Sequence, residues 1–338
     1  MEFTLKIERY DPDTDQGRLQ EFTVDAPETA TLLDVLDVVK DTVDGSVTYR
    51  KSCRMAVCGS CGMRMDGAAV LACKTPMAPL AEEGRVPVIS PMGNLPVIKD
   101  LVVDMDPFWA KFKAVKPWLE EDDRPPVKEW RVQQEELDRV MTEALCIQCG
   151  CCVSECNSME ADPDFLGPAA LAKAARFVND VRDRGGKSRL EIYNGPHGVW
   201  DCTRCYFCNQ RCPKGVHPRD AIAKVGAAIY QEGMHSDGGA RHAKVFVKST
   251  HQTGYLLETH LVPETVGAVN AIKEIPFALR LARAGKVPNP LKPHKAKKLD
   301  EVRKLNKLIE SQEQATLEAA NAGPTRPPAD PAQAKESE

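Results

Sequence analysis

The chain has 338 residues, more than one typical domain, which predicts two or three folded units. Hydrophobic residues make up 42% and charged residues 28%, as in a globular protein, and a net charge of -4 excludes a chain-wide basic surface for nucleic acid. The unusual number is 13 cysteines, an odd count that excludes complete disulfide pairing within the chain.

The N-terminal residues carry charges at Glu2, Lys6, Glu8 and Arg9 and include no apolar core of signal-peptide length, so we expect a cytoplasmic protein. No uncharged apolar run reaches about 18 residues, which argues against a transmembrane helix. In a reducing compartment, cysteines this numerous indicate metal binding or redox chemistry rather than disulfides.

The first half of the chain is predicted to begin as a β-β-α unit. Alternating apolar and polar residues over 3–10 and 18–26 predict a hairpin of two strands. Apolar residues at helical spacing then predict a helix over 31–44. Glycines, cysteines and short apolar runs over 47–92 predict cysteine-bearing loops, followed by a strand at VPVIS.

The second half is predicted to be helical. One helix is expected to begin at Pro168, to include Val181 in its apolar face and to stop before Gly185. Another is expected to begin at Arg219. Residues 311–338 are rich in Ala, Pro and Glu and lack aromatic residues, which predicts a disordered tail.

Four cysteines in the first half have the spacing of plant-type [2Fe-2S] ferredoxins: Cys53, Cys58, Cys61 and Cys73. Such a site takes three ligands from one tight loop and the fourth from a neighbouring segment. Gly59 and Gly62 are predicted to belong to the same cofactor site, because a residue without a side chain lets the backbone bend and approach the inorganic sulfides. A structural zinc site or free buried thiols are the alternatives, although zinc sites usually use paired C-x2-C knuckles.

Two later runs share the spacing C-x2-C-x2-C-x3-C of bacterial two-cluster ferredoxins, in which the fourth cysteine of each run crosses to the other cubane cluster. We therefore assign one [4Fe-4S] cluster to Cys146, Cys149, Cys152 and Cys212. The second is assigned to Cys202, Cys205, Cys208 and Cys156. Cys151 is left as the non-ligand, and a double zinc site is the alternative.

Three clusters in one chain suit electron transfer, because flavins and organic substrates give up electrons in pairs whereas an iron-sulfur centre accepts one. The sequence has no GxGxxG fingerprint, no P-loop and no HExxH motif, which assigns the substrate chemistry to a partner and leaves no catalytic residue here. A zinc-stabilised module that binds nucleic acid or membrane through basic residues is the rival from another class, and it predicts a colourless protein.

The sequence resembles the iron-sulfur subunit of succinate dehydrogenases and fumarate reductases. The similarity runs through YRKSCRMAVCGSCGMRMDG, LCIQCGCCVSEC and CPKGVHPRDAI and covers most of residues 1–230. It implies an α+β fold with a β-grasp [2Fe-2S] ferredoxin domain, an all-α domain with two cubane-type clusters and a helical extension. It also implies a FAD-containing dicarboxylate-oxidising partner subunit, with electrons passing between FAD and a quinone or another carrier.

Four segments follow from these patterns together. The ferredoxin domain is expected over 1–105, the two-cluster helical domain over 106–238, the helical extension over 239–310 and the disordered tail over 311–338.

The sequence departs from the common members of this family in two ways, in the ligands of the second cubane and in the quinone site. Common members hold a [3Fe-4S] cluster because they lack a cysteine at the position of Cys205, so a complete [4Fe-4S] cluster is favoured here, with [3Fe-4S] as the alternative. The usual quinone-site features are also missing. Where many members have a Cys-Pro followed shortly by tryptophans, this chain has CNSMEAD from Cys156 to Asp162, and where they have a histidine just after the next cysteine, it has Thr203. Both changes resemble the variant complexes that lack haem-bearing anchors and use a cysteine-rich CCG-motif subunit like that of heterodisulfide reductases.

Residues 240–310 are similar to the C-terminal part of heterodisulfide reductase C-type subunits. The stretch from Lys286 to Lys307 holds eight Lys or Arg, which suits an anionic membrane surface, an acidic partner or plain solvent. The resemblance implies a peripheral position on the inner face of the cell membrane, a membrane-associated or CCG-motif partner, and no nucleic acid. The rival within this class is the iron-sulfur subunit of a heterodisulfide-reductase-like or thiol:fumarate reductase complex.

Overall fold

The computed structural model describes residues 1–120, 129–234, 238–286 and 295–321. The chain divides into two compact units, the first formed by 1–120 with 137–225 and the second by 121–136 with 226–338. All 13 cysteines belong to the first unit. The domain boundaries expected at 105, 238 and 310 stay predictions.

A mixed five-stranded sheet and a small two-stranded sheet open the first unit. Their strands are β1 (Glu2–Asp11), β2 (Gln16–Asp25), β3 (Gly62–Met65), β4 (Ala68–Leu71), β5 (Val88–Ser90), β6 (Val97–Lys99) and β7 (Val102–Val103). The predicted hairpin is β1 and β2, paired antiparallel with Phe3 opposite Val24. The large sheet has the order β2-β1-β5-β3-β4, in which β1 and β5 run parallel, and β6 pairs with β7.

The helix predicted over 31–44 is α1 (Leu32–Val38), which continues as a π turn over Val39–Val43. Thr31 caps its N-terminus: the Thr31 hydroxyl accepts from the Asp34 amide, and the Asp34 carboxylate accepts from the Thr31 amide. The apolar side of α1 is buried in one core with Leu5 of β1 and Cys73. The sheet and α1 therefore form a support from which the intervening cysteine loop projects.

A buried ionic network fastens the sheet to the residues that follow α1. The Arg9 guanidinium donates to Asp100 Oδ1 and Asp44 Oδ2, both at 2.9 Å, and to the Ser46 hydroxyl at 2.9 Å. Hydrogen bonds from the Ser46 hydroxyl and amide, together with Arg9, hold the pKa of Asp44 well below its ordinary value. Asp44 is therefore ionised throughout the neutral range.

We expect Asp44→Asn to lower the midpoint of thermal unfolding at pH 7, because the carboxylate has stronger interactions in the folded than in the unfolded state. A depressed folded-state pKa contributes stability above the unfolded pKa of about 4, and that stability is lost as pH falls towards the folded value. The difference in midpoint between wild type and variant should therefore shrink from pH 7 to pH 4. Cluster loss in acid affects both proteins alike, and a difference that grows in acid would contradict the assignment.

The other helices up to residue 231 are mostly short, and the last of them ends beyond the first unit. They are α2 (Ala78–Glu82), α3 (Asp106–Ala114), α4 (Gln134–Ala144), α5 (Cys151–Ser154), α6 (Asn157–Ala161), α7 (Gly167–Val178), α8 (Gly186–Asn194), α9 (Phe207–Arg211) and α10 (Pro218–Gln231). The predicted helices at Pro168 and Arg219 are α7 and α10. Val181 was wrongly included in α7, because Asp180 accepts hydrogen bonds from the Arg182 amide and guanidinium and so forms a turn.

The second unit holds five further helices among the described residues: α11 (Gly238–Thr253), α12 (Glu258–Val266), α13 (Ala268–Lys273), α14 (Ile275–Arg283) and α15 (Leu299–Asn321). The prediction of a disordered tail from residue 311 is wrong as far as Asn321, because α15 continues to that residue. The sequence from 311 to 321 is rich in Gln, Glu and Ala, which have high helix propensity. Residues 322–338 of that tail, and 287–294 of the basic stretch, lie outside the described residues. Within the described ranges, no helix combines the length and apolar character needed to cross a bilayer.

Candidate iron-sulfur centres

The first candidate centre is the loop between α1 and β3, which carries three of the four cysteines. Three loop amides, those of Met55, Val57 and Cys58, point at Cys53 Sγ from 3.3–3.4 Å. The Ala56 amide lies 3.3 Å from Cys73 Sγ, so the fourth cysteine reaches the same loop from the short 3-10 turn after β4. The Cys53 amide lies 3.5 Å from Cys58 Sγ, and the thiols of Cys61 and Cys73 are hydrogen-bonded to each other, so the structure brings together the four residues that the plant-type spacing predicts.

The thiols of this loop have different acidities. Hydrogen bonds, first from the Ser60 side chain and then from the Cys53 amide, lower the pKa of the exposed Cys58 thiol to about 6. Burial raises the pKa of the Cys61 thiol to about 11. Cys58 therefore forms the thiolate, the form that binds iron, more readily than Cys61 does.

Asp37 of α1 holds the start of the cysteine loop. Its carboxylate accepts hydrogen bonds from the Tyr49 hydroxyl at 2.5 Å, from Lys51 Nζ at 2.7 Å and from Arg54, the residue after the first cysteine. Burial alone would raise the pKa of Asp37, but these hydrogen bonds outweigh burial and lower it. Asp37 is not among the predicted site residues, because one charged residue on an amphipathic helix carries no signal of its partner.

Gly59 and Gly62 lie where the first loop meets the first cubane run. A Cβ on Gly59, whose φ is +73°, would lie 2.8 Å from the Cα and Cβ of Cys149. A Cβ on Gly62 would lie 3.0 Å from the Cys149 carbonyl oxygen. Close backbone contact with Cys149 therefore requires glycine at position 59 and crowds any side chain at position 62, whereas the predicted approach of both glycines to inorganic sulfide stays a prediction.

The second candidate centre is a cavity lined by the four cysteines predicted for the first cubane: Cys146, Cys149, Cys152 and Cys212. Apolar residues such as Ala169, Ala172 and Val216 form much of the remaining wall. The Val216 amide donates to Cys212 Sγ at 3.3 Å, an N–H···S contact of the kind that tunes cluster potentials. The crossover cysteine of the second run thus lies with the first three of the other run.

The third candidate centre is a separate cavity lined by the other predicted set: Cys156, Cys202, Cys205 and Cys208. Phe165, Pro168 and Ile222 supply apolar wall, and Arg219 is the charged residue of this lining. No carboxylate lines either cubane cavity among the described residues, so each offers four thiols in a mainly apolar setting. That donor set fits a cubane iron-sulfur cluster.

The two cubane runs repeat the same backbone conformation. The second residue after the first cysteine has a positive φ in both runs, 59° at Gln148 and 57° at Arg204. The fourth residue does so as well, 80° at Gly150 and 67° at Tyr206. Each run then enters a one-turn helix, α5 or α9, so that its last two cysteines lie on or just after that helix and line different cavities.

The ferredoxin sheet domain is hydrogen-bonded directly to α5 and to the residues just after it. Arg64 of β3 donates to the Ser154 carbonyl at 2.7 Å and to Glu155 Oε1 at 3.1 Å. The Asn94 side-chain amide donates to the carbonyls of Val153 and Cys156 at 2.8 and 3.0 Å. Arg64 and Asn94 are not among the predicted site residues, because their partners lie about 60–90 residues away along the chain.

Cys151, the predicted non-ligand, lines neither cubane cavity. Its side chain is fully buried in the core of the ferredoxin domain, with Sγ 3.9 Å from the Val70 carbonyl oxygen. It therefore packs in the ferredoxin core, and its thiol is hydrogen-bonded to Cys149, a proposed ligand of the first cubane.

The chain is similar to known proteins in its domain families, in its sequence and in its fold. Residues 4–110 match the model of a 2Fe-2S iron-sulfur cluster binding domain, and residues 144–216 match that of a 4Fe-4S dicluster domain. The fumarate reductase iron-sulfur subunit of Mycobacterium tuberculosis is 42% identical over 65% of this chain and 90% of its own length. The 8-methylmenaquinol:fumarate reductase iron-sulfur subunit of Wolinella succinogenes is 35% identical over 92% of this chain and 99% of its own.

A chain of the Mycobacterium smegmatis Sdh1 complex superimposes with a TM-score of 0.60 and 25% identity, over 69% of this chain and 97% of that one. The predicted α+β architecture, a ferredoxin domain followed by a helical two-cluster domain, is confirmed by these matches. The chain belongs to the family of succinate dehydrogenase and fumarate reductase iron-sulfur subunits, and it is the electron-transfer subunit of such a complex, with a [2Fe-2S] centre and a two-cluster [4Fe-4S] domain.

Proposed function

We propose that this subunit relays single electrons between a FAD-containing dicarboxylate-oxidising subunit and a cysteine-rich CCG-type subunit at the inner face of the membrane. Bound iron-sulfur centres supply one-electron steps, which splits the electron pair that a flavin exchanges with a dicarboxylate. The protein's own contribution is to hold three sites in sequence, with Gly59 against Cys149 and with α5 and α9 leading from the first cubane cavity to the second.

The ligand sets proposed are those of the three sites. Cys53, Cys58, Cys61 and Cys73 would hold the [2Fe-2S] centre, Cys146, Cys149, Cys152 and Cys212 the first cubane, and Cys156, Cys202, Cys205 and Cys208 the second. One observation carries the proposal of a complete second [4Fe-4S] cluster: Cys205 lines the same cavity as the other three thiols.

Residues at the wall of the second cubane cavity support a cysteine-rich acceptor over direct quinone reduction by this subunit, and one relative shares the C-terminal part of this chain. The Wolinella relative, whose name specifies 8-methylmenaquinol, matches 92% of this chain, whereas the Mycobacterium tuberculosis relative matches 65%. The C-terminal part is thus shared with the former. At the wall of the second cubane cavity, the Ser158 hydroxyl lies 3.1 Å from the Thr203 amide and 3.4 Å from its hydroxyl. Ser158 and Thr203 are therefore hydrogen-bonded to each other at the positions where common family members carry quinone-site residues.

The experiment compares Cys205→Ala with wild type in the anaerobically purified complex, by iron and sulfide content and by EPR. Wild type is expected to hold about ten irons per chain without a [3Fe-4S] signal when oxidised. Alanine offers no ligand, so Cys205→Ala should hold about nine irons and acquire that signal, while the other two centres keep their spectra.

Cys151→Ala is the matched control, since it removes a neighbouring buried thiol that lines neither cubane cavity. It should retain about ten irons and acquire no oxidised [3Fe-4S] signal, since its thiol contacts Cys149 but is not a proposed ligand. Nine irons and an oxidised [3Fe-4S] signal in wild type would refute the complete cluster and favour the ordinary quinone-linked enzyme. Loss of all three centres from Cys205→Ala alone would refute the ligand assignment.

The acceptor is tested with succinate and a soluble menaquinone analogue. The pair formed by this chain and its flavoprotein should reduce a dye but not the quinone, and adding the cysteine-rich subunit should restore quinone reduction. Rapid quinone reduction without that subunit would refute the proposed route. Failure to oxidise succinate at all would favour the heterodisulfide-reductase-like alternative.

A further inference from the structure

Two consecutive helices of the second unit, α13 and α14, present large apolar side chains to solvent. No residue of α14 is buried. Exposed fractions are 77% for Val269, 65% for Ile272, 49% for Ile275, 51% for Phe277 and 52% for Leu279. Isolated exposed apolar residues are common, but five within eleven consecutive positions is a local density that indicates an interaction surface.

The side chains of α14 are segregated around the helix. At 3.6 residues per turn, Arg280 and Arg283 fall on one narrow side. The remaining arc of about 200° is apolar, formed by Ile275, Phe277, Ala278, Leu279, Leu281 and Ala282. Arg280 lies at the border, with its guanidinium 5.7 Å from the centre of the Phe277 ring.

The segment from Val269 to Lys286 has a net positive charge, although the whole chain has a net negative charge. Between Val269 and Lys286 there are four cations (Lys273, Arg280, Arg283 and Lys286) and one anion, Glu274. The chain as a whole has a net charge of -4. A locally cationic surface beside exposed apolar side chains is complementary to an anionic lipid surface, where long basic side chains reach lipid phosphates from the rim of a buried apolar face.

We propose that α13 and α14 together form a lipid-contact segment that lies in the plane of an anionic bilayer, with its apolar arc among the acyl chains and its basic residues at the headgroups. The breadth of the arc favours a bilayer over a protein groove, because a groove receives a narrower stripe at i, i+3, i+4 and i+7. At nine residues, α14 is far too short to cross a membrane and suits only such a surface position. This inference deepens the peripheral placement proposed above and rests on it.

The experiment measures flotation of the cluster-loaded full chain with vesicles of phosphatidylglycerol and phosphatidylcholine, and with phosphatidylcholine alone. Wild type should float with the anionic vesicles, and high salt should weaken that binding. The double variant Phe277→Ser/Leu279→Ser should bind at least about tenfold more weakly, because two apolar side chains no longer enter the acyl region. Arg280→Glu/Arg283→Glu should lose the preference for anionic lipid.

The matched control is Leu19→Ser/Val43→Ser, which replaces two side chains of the first unit that are 55% and 58% exposed. It should bind vesicles like wild type. Iron content and visible spectra are expected to be unchanged in every variant, which separates lipid binding from the electron-transfer proposal. The inference is overturned if wild type does not bind anionic vesicles, or if the control weakens binding as much as Phe277→Ser/Leu279→Ser. It is also overturned if that variant loses the cysteine-rich subunit while its vesicle binding is unchanged.

Discussion

Replacing Arg189 with methionine is expected to lower the stability of the first unit by about 3–5 kcal/mol, the cost of leaving a buried charge unpaired. The guanidinium is 1% exposed and donates to both oxygens of Asp183 at 2.7 Å. It also donates to the carbonyls of Lys116 and Trp118, so one side chain ties the segment after α3 to α8. Methionine keeps much of the volume but leaves the Asp183 carboxylate and two carbonyls without this donor.

The measurement is the midpoint of heat- or denaturant-induced loss of cluster absorbance, recorded at equal times because cluster loss is irreversible. Arg85→Met is the matched control. Its guanidinium pairs with Asp66 at 3.0 Å, but both side chains are more than one third exposed. We expect a change below about 1 kcal/mol there. Equal effects of Arg189→Met and Arg85→Met would show that the buried pair has no special role.

Gly59→Ala is expected to destabilise the protein and to disturb the contact between the first two centres. A Cβ at 2.8 Å from the Cα and Cβ of Cys149 overlaps backbone, so one of the two cysteine loops must move. Forced overpacking of this kind costs about 1–3 kcal/mol. Since Cys58 precedes Gly59 and Cys149 is a proposed ligand of the first cubane, we also expect a weaker magnetic interaction between the reduced [2Fe-2S] and neighbouring [4Fe-4S] centres.

Gly67→Ala separates overlap from backbone strain. Gly67 has a φ of +76°, close to the +73° of Gly59, but a Cβ there meets no atom within 4 Å. Both variants carry the cost of a left-handed alanine, about 1–2 kcal/mol. Only Gly59→Ala should alter the EPR spectrum of the reduced protein at full iron content. If Gly59→Ala has an unaltered EPR spectrum and the same unfolding midpoint as Gly67→Ala, the two cysteine loops accommodate the methyl group without moving apart.

Cysteine spacing alone determined the chemical character of this protein. A cluster takes several ligands from one short loop, so cluster type leaves its signature within about ten residues of sequence. The same holds for the hairpin, for α1, and for α7 and α10, since the periodicity of apolar residues is a local property. The repeated pattern also predicts that Cys156 and Cys212 lie with cysteines of the other run, and the cavities place them there, whereas their binding to the clusters stays a prediction.

Contacts between residues far apart in the chain were decided by the tertiary structure. The requirement for glycine at position 59 comes from Cys149, the grip of Arg64 on α5 spans about 90 residues, and Arg189 holds carbonyls about 70 residues away. No local pattern encodes such pairs, because they exist only after the elements have packed. The exposure of α14 is likewise a tertiary property: its amphipathic pattern suits a core helix equally well, and only the folded chain shows that nothing among the described residues buries it.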